Sequence, residues 1–476
     1  MHFQQHDSTD VLVVGAGPAG LTAAATLGRL GIDTLVVERR PELSGLPRAT
    51  GVSTRSMEIF RSFGIEDAIL AGGVDVEPMM LSCTTLSAAA DGVAVPIGLP
   101  TREQVAVISP TAPACVPQDH LEPVLLEHVR GLGVPVELGC EVVTVEPSVD
   151  GVLVTLRDGA SGRVRAVSAR YVVAADGAHS RVRTELGIPM HGPDGLGEAA
   201  SAVFHAPLWP VAGEHRYFVY DINQPGAAGV LLPAGRDDRW LYGVLWQTGE
   251  DDAASFDSER FTRQIRLAAG VPDLPVSIER TGSFLFAAKL AERFREGPVF
   301  LVGDAAHRVT PRGGTGMNSA IHDGYDVGWK LGWVLQGWAP ETLLDSYEPE
   351  RRPVVEHNAA RSADRESSIR GADRALYADL GGRIPHLRVH TDEGPASTLD
   401  LLGPGLTVFT GPGGGAWERP SGMATDRVPV TVRPLDAIAS RALGIRPGGA
   451  LVVRPDGVAA VAPTVAEGER EVAEAA

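Results

Sequence analysis

The chain has 476 residues, 44% hydrophobic and 21% charged with a mean hydropathy of +0.02, which excludes wholesale disorder and fits a globular protein of two or three cores with room for a buried ligand. Its net charge of −18 opposes binding to phosphate-rich surfaces, so neither nucleic acid nor an anionic membrane is expected as a partner. Cys83, Cys115 and Cys140 show no CxxC spacing and no nearby His cluster, which argues against a disulfide framework or a metal site and suits a reducing cytoplasm.

The first ten residues, MHFQQHDSTD, lack the basic start and apolar core of a secretory signal, and no long apolar window reads as a membrane span. The run Asp10 to Val14 is short, β-branched and continuously apolar, as expected of a parallel strand buried on both faces. It breaks at Gly15, Gly17 and Gly20, spaced GxGxxG: the first permits a tight turn, the second close approach of a pyrophosphate, the third close helix packing. A helix carrying Leu21, Ala24, Ala25, Leu27 and Leu30 follows and ends near Gly31, with its positive N-terminal end toward the phosphates. A second strand, Thr34 to Val37, leads to Glu38, eighteen residues after Gly20 and placed to accept hydrogen bonds from an unphosphorylated adenosine ribose. This ordered set predicts a dinucleotide site; glycine-rich turns alone are common and would not.

Further along, the strand Tyr171 to Ala175 ends in Asp176 and Gly177, and Ser180 is suited to cap a helix. Another strand, Val299 to Val302, ends in Gly303 and Asp304, followed by the glycine-rich AAHRVTPRGGTGMN and an amphipathic helix from about Asn318 to Gln336. A strand ending in Asp delivers a carboxylate to the ligand-binding edge of a parallel sheet, where Asp304 can hold a ribityl hydroxyl. Gly313, Gly314 and Gly316 after Pro311 let backbone amides reach an electron-rich ring or anion.

With GAGPAG at 15–20, ADGAHSRVR at 175–183 and GDAAHRVTPRGGTGMNSAIHDGYDVGWKL at 303–331, residues 8 to 365 resemble the class A flavoprotein monooxygenases, the family of para-hydroxybenzoate hydroxylase, phenol hydroxylase and bacterial aromatic polyketide hydroxylases. The resemblance implies an α/β fold with a Rossmann-like FAD-binding domain, a β-sheet substrate domain and a small thioredoxin-like C-terminal domain. The expected boundaries are residues 1–189 and 288–375 for the two parts of the FAD domain, 190–287 for the substrate sheet and 376–476 for an extension without CxxC. FAD contacts are expected from Gly15, Gly17, Gly20, Glu38, Arg39, Arg48, Gln118, Asp176, Asp304, Pro311, Gly314, Gly316, Met317 and Asn318. The resemblance gives Arg48 the pyrophosphate and Gln118 the ribityl chain or flavin, and makes the Asp176 segment serve both FAD and NADPH.

The implied reaction is hydroxylation of an aromatic small molecule with NADPH or NADH and O2, through a flavin C4a-hydroperoxide. Baeyer–Villiger insertion or epoxidation on the same fold, and a non-catalytic flavoprotein that binds an aromatic ligand, remain open, as do monomer and homodimer.

From Met190 to Ala287 the sequence alternates in strand-like runs rich in aromatics: Phe204, Tyr217, Phe218, Tyr220, Trp240, Tyr242, Trp246, Phe284 and Phe286. They either line an aromatic pocket or fill the sheet's own core, and for any single residue core filling carries more weight. His205, His215, Arg216, Tyr217 and Tyr220 are the polar candidates for orienting a phenol, each weighed against a structural role, and no catalytic residue is assigned. His307 is expected to support the flavin loop, and Arg351 and Arg352 to form surface or interdomain ion pairs. The tail AEGEREVAEAA reads as frayed or helical surface.

Overall fold

Short β-branched runs build the central sheet. In the computed structural model, which describes residues 8–246, 255–363, 379–414 and 427–461, β1 (Ser8–Val14) lies between β2 (Thr34–Glu38) and the strand Val164–Ala174. The strand Val299–Leu301 adds beyond Val164–Ala174, and Val136–Leu138 beyond β2, all five running parallel. Val14, Val37, Ala174 and Leu301 stand in register, so these four strands end at one level and release their next residues at one edge.

Between the first two strands runs α1 (Pro18–Arg29), with Pro18 in its first turn and Gly31 just beyond its end at φ 68°, the left-handed conformation glycine favours. The helix Gly316–Leu335 lies against α1, and small residues make that closeness possible. A Cβ on Gly324 would strike the Ala19 carbonyl, one on Gly328 would come within 2.8 Å of Thr26, and one on Gly332 would strike Leu30. Spaced four apart, these glycines form a groove along one helix face.

The second sheet has seven strands in the order Ser277–Leu285, Glu198–His205, Arg239–Trp246, Gly229–Pro233, Tyr217–Ile222, Glu77–Cys83, Val93–Pro96. The last two come from residues 77–96, outside the block 190–287 expected for the substrate sheet. The Glu77–Cys83 strand alternates half-buried and buried positions from Met80 to Cys83, the period of a strand covered on one face, and pairs in parallel with Tyr217–Ile222.

A third layer is the C-terminal four-stranded sheet, with Leu406–Thr410 between Val430–Pro434 and Ala450–Val453, and Ala459–Val461 at the edge. Its apolar face packs on Trp329 and Trp333 of the Gly316–Leu335 helix through Leu406, Val408 and Val452. The tail AEGEREVAEAA lies outside the described residues. Among the described residues no helix is long and apolar enough to cross a membrane, and Cys83, Cys115 and Cys140 are free and buried.

Candidate functional site: a cleft at the strand ends

Four loops leave the common edge of the parallel sheet and meet. A Cβ on Gly15 would strike the Ala175 carbonyl, and one on Gly20 would strike the Gly15 carbonyl, so both positions require glycine for space, Gly15 also for its φ of 109°. Among the described residues, no atom lies within 4 Å of where a Cβ on Gly17 would stand: its side is open, as a helix N-terminus that receives a phosphate must be. Glu38 projects from the end of β2, its carboxylate accepting the Ala16 N–H at 3.0 Å and the Arg40 N–H at 2.9 Å. Arg39 beside it is exposed.

Asp176, two residues past the end of its strand, has two tasks. One oxygen accepts the Val182 N–H at 3.0 Å, helping Ser180 cap the helix Arg181–Glu185, while Oδ1 is buried with no partner among the described residues. Desolvation raises its pKa, against the pull of the Ser180 and backbone hydrogen bonds. The same segment sends Arg183 to the carbonyl of Ala305 at 3.0 Å, tying it to the neighbouring loop.

That loop is the turn Gly303–Ala305, with Gly303 at φ 57° and its Cβ side 3.3 Å from Ala19 and 3.0 Å from Ala320. Asp304 opens into the cleft, and desolvation by the surrounding protein raises its carboxyl pKa against the opposing charges of His307, Arg308 and Arg48. Arg48 also acts on Glu122, whose carboxylate accepts the Gln118 Nε2–H at 2.7 Å, so Arg48, Gln118 and Asp304 border one space.

Pro311 to Met317 close the far side. Thr310 is pinned by its hydroxyl to the Ser362 carbonyl at 2.7 Å, and Arg361 donates to the Gly313 carbonyl at 3.3 Å. Gly314 stands at φ 63° facing open space, and Thr315 Oγ1 is buried without a partner among the described residues. The Asn318 side chain is committed to protein: Oδ1 accepts from Ser53 N and Ser56 Oγ, and Nδ2 donates to the carbonyls of Gly51 and Gly314. It shapes the loop rather than offering its side chain to a ligand. Pro311 is exposed, and Gly316 and Met317 open the helix that follows.

Over this cleft lies one face of the seven-stranded sheet, and strand alternation assigns the aromatics. Phe204, Tyr220, Trp240, Tyr242 and Trp246 fill the opposite face, packed under the helix Ser258–Ala269. The Tyr220 hydroxyl donates to the His215 carbonyl at 2.8 Å, Tyr217 packs against the same cluster, and Arg216 lies 4.2 Å from the ring of Trp209. The Tyr217 ring, the Tyr220 hydroxyl and the Arg216 guanidinium thus each have a partner within the protein. His205 is exposed beside Glu279 at 3.4 Å and beside the Asp237 carbonyl, at the sheet's end.

The cleft-side row instead sets Ala199 opposite Leu245 and Phe284, and Ser201 opposite Gly243 and Gly282. Phe284 stacks on Phe286, which holds the Arg312 guanidinium 5.3 Å from its ring, so this face looks onto the glycine-rich loop. Small residues beside the Phe284–Phe286 pair line this stretch of the face. Spacing gave no sign of Arg183, Arg312 or Arg361, whose partners lie far off in sequence.

Of Arg351 and Arg352, expected to form surface or interdomain ion pairs, only the first departs from that. Arg351 makes no surface pair: its Nε donates at 2.7 Å to Asp323, which is 1% exposed. Arg352 stays near the surface, bonded to Glu348 and to the carbonyls of Ala291 and Glu292. The carboxylates of Asp326, Glu350 and Asp456 cluster but are neutralised by Lys330, at 2.8 and 2.9 Å from the first two, and by Arg454.

The open Gly17 turn, the unpartnered Asp176 Oδ1 and the ribose-ready Glu38 fit an adenine dinucleotide with a flavin reaching Asp304. Residues 8–362 match the family model described as an FAD binding domain, and residues 378–476 the one described as aromatic-ring hydroxylase, C-terminal. The chain belongs to the FAD-dependent aromatic-ring hydroxylases. This hydroxylase is 34% identical over 436 residues, 82% of its length and 79% of the other's, to a putative polyketide hydroxylase of Streptomyces halstedii. It is 35% identical over 456 residues, 86% and 92% of the two lengths, to aklavinone 12-hydroxylase DnrF of Streptomyces peucetius. Aklavinone-11 hydroxylase, solved with FAD and aklavinone, superposes on the hydroxylase with a TM-score of 0.87 at 29% identity over 99% of both chains. It is an FAD-dependent monooxygenase with NAD(P)H and O2 as co-substrates.

Proposed function

We propose that this hydroxylase inserts one oxygen atom into a flat, polycyclic aromatic substrate of the polyketide type, held between the flavin and the sheet face at Ser201 and Gly243. The observation that carries the reading is the row of small residues on the cleft side, Ser201, Gly243 and Gly282, bordered by the Phe284–Phe286 pair. Relatives named for polyketides and aklavinone support the substrate class.

FAD, when bound, supplies hydride acceptance from NAD(P)H and activation of O2. The chain's residues do the rest. Glu38 accepts the ribose hydroxyls, Gly17 and the α1 N-terminus take the pyrophosphate with Arg48, and Asp304 takes the ribityl chain. Pro311 to Gly316 hold backbone amides toward the ring, while the sheet excludes water and orients the substrate. With three free thiols, the enzyme belongs in a reducing cytoplasm.

The test is anaerobic reduction of the holoenzyme by NADPH or NADH with a panel of phenols, naphthoquinones and polycyclic polyketides. At least one polycyclic compound is expected to accelerate flavin bleaching and to gain one oxygen atom when air is admitted. If none does either, the proposal is withdrawn.

A further inference from the structure

Asp323, in the helix Gly316–Leu335, is an interior anion with an unusual set of partners. Its Oδ2 accepts both the Gly303 N–H at 3.0 Å and the His307 Nε2–H at 2.5 Å. Its Oδ1 accepts Arg351 Nε at 2.7 Å from the helix Tyr347–Ala363. Gly303 and His307 are the two ends of the turn that presents Asp304, and the Ala306 N–H closes that turn onto the Gly303 carbonyl at 2.8 Å. One carboxylate oxygen thus staples both ends of the loop.

The charges favour permanence. Burial alone would raise the Asp323 pKa, but His307 and Arg351 outweigh it and hold the carboxyl well below its usual range. The His307 ring is 1% exposed and turned into the protein, so it has no path to act as a general base in the cleft. A turn left unstapled would have to be ordered when a ligand arrives, and fixing it beforehand removes that cost from binding.

We propose that Asp323, held by Arg351, is a positioning residue for the cofactor: it acts through the Gly303–His307 turn to set Asp304 against the ribityl chain of FAD. This rests on the FAD reading of the cleft and adds a residue that never reaches it.

The experiment is a double-mutant cycle on the full chain, read as FAD affinity from flavin fluorescence quenching in the apoprotein. Asp304→Asn and Asp323→Asn are each expected to weaken FAD about tenfold, the scale seen when the partner supporting a ligand is removed. The double variant should be no weaker than Asp304→Asn within about twofold, because Asp323 works only through Asp304. Substrate KM, measured at saturating FAD, should stay unchanged. Losses that multiply in the double variant, or full affinity in Asp304→Asn, would overturn the proposal. Should Asp323→Asn lack native circular dichroism, Arg351→Lys takes its place in the cycle: a loss absorbed by Asp304→Asn again supports the proposal, and a loss that multiplies with it again overturns it. A wild-type chain that takes up no FAD would overturn the cofactor reading as well.

Discussion

Glu38 shows how one side chain is prepared for its ligand. Its carboxylate already accepts from Ala16 and Arg40, which fixes its direction at the end of β2 before ribose arrives. A carboxylate accepts hydroxyl protons roughly twice as strongly as a neutral amide, so Glu38→Gln is expected to weaken FAD binding by about 1–2 kcal/mol, or about tenfold. Equilibrium titration of the apoprotein with FAD measures this, and unchanged affinity would remove Glu38 from the ribose. Gly15 and Gly17 explain themselves in opposite ways: at Gly15 there is no room for a side chain, and at Gly17 the room belongs to the phosphates.

Among elements, the contact between α1 and the helix Gly316–Leu335 decides most. Both helices begin at the cleft, one at Pro18 and the other at Gly316, and the glycine groove lets them lie close enough to share it. Gly324→Ala drives a methyl group into the Ala19 carbonyl, so the helices must part. Overpacking of this kind destabilises by about 1–3 kcal/mol, and because both N-termini shift, FAD should also be lost at a lower temperature. Melting curves followed by circular dichroism and by flavin fluorescence check the two effects separately. The groove was partly legible: Gly324 and Gly328 fall at helical spacing among apolar residues. Which helix filled it was not, because spacing defines a face without naming its partner.

At the scale of the whole molecule, buried ion pairs fasten the C-terminal layer to the rest. Arg383 meets both carboxylate oxygens of Glu58 at 2.7 and 2.5 Å, with side chains only 4% and 3% exposed. Arg383→Ala leaves Glu58 without its bidentate partner, with Arg55 as its remaining ion pair, and is expected to destabilise by about 3 kcal/mol, near the lower end for a broken buried pair. Faster limited proteolysis after residue 378 would report it. Asp379 gives the same junction a pH dependence: burial pushes its pKa up from 3.8 to about 6, outweighing its hydrogen bonds to Ser53 and Arg55. A raised carboxyl pKa means folding favours the protonated form, so this contribution is complete below pH 3.8 and is lost as pH rises through 6. The melting temperature of Asp379→Asn relative to wild type should therefore climb between about pH 4 and pH 7. A constant difference would count against it.

The sequence by itself determined the dinucleotide turn, the strand-terminal Asp176 and Asp304 and the family, because each is written in a contiguous stretch where backbone geometry admits few residue types. It did not determine which sheet face looks onto the flavin, since a period of two separates the faces without saying what covers each. Tertiary structure alone decided that Phe204, Tyr220 and Trp240 are core while Phe284 borders the cleft, and it brought Glu77–Cys83 into the substrate sheet. It also paired Arg351 in the interior with Asp323, 28 residues away. Long side chains choose their partners across space, and only the packed helices fix which charges meet.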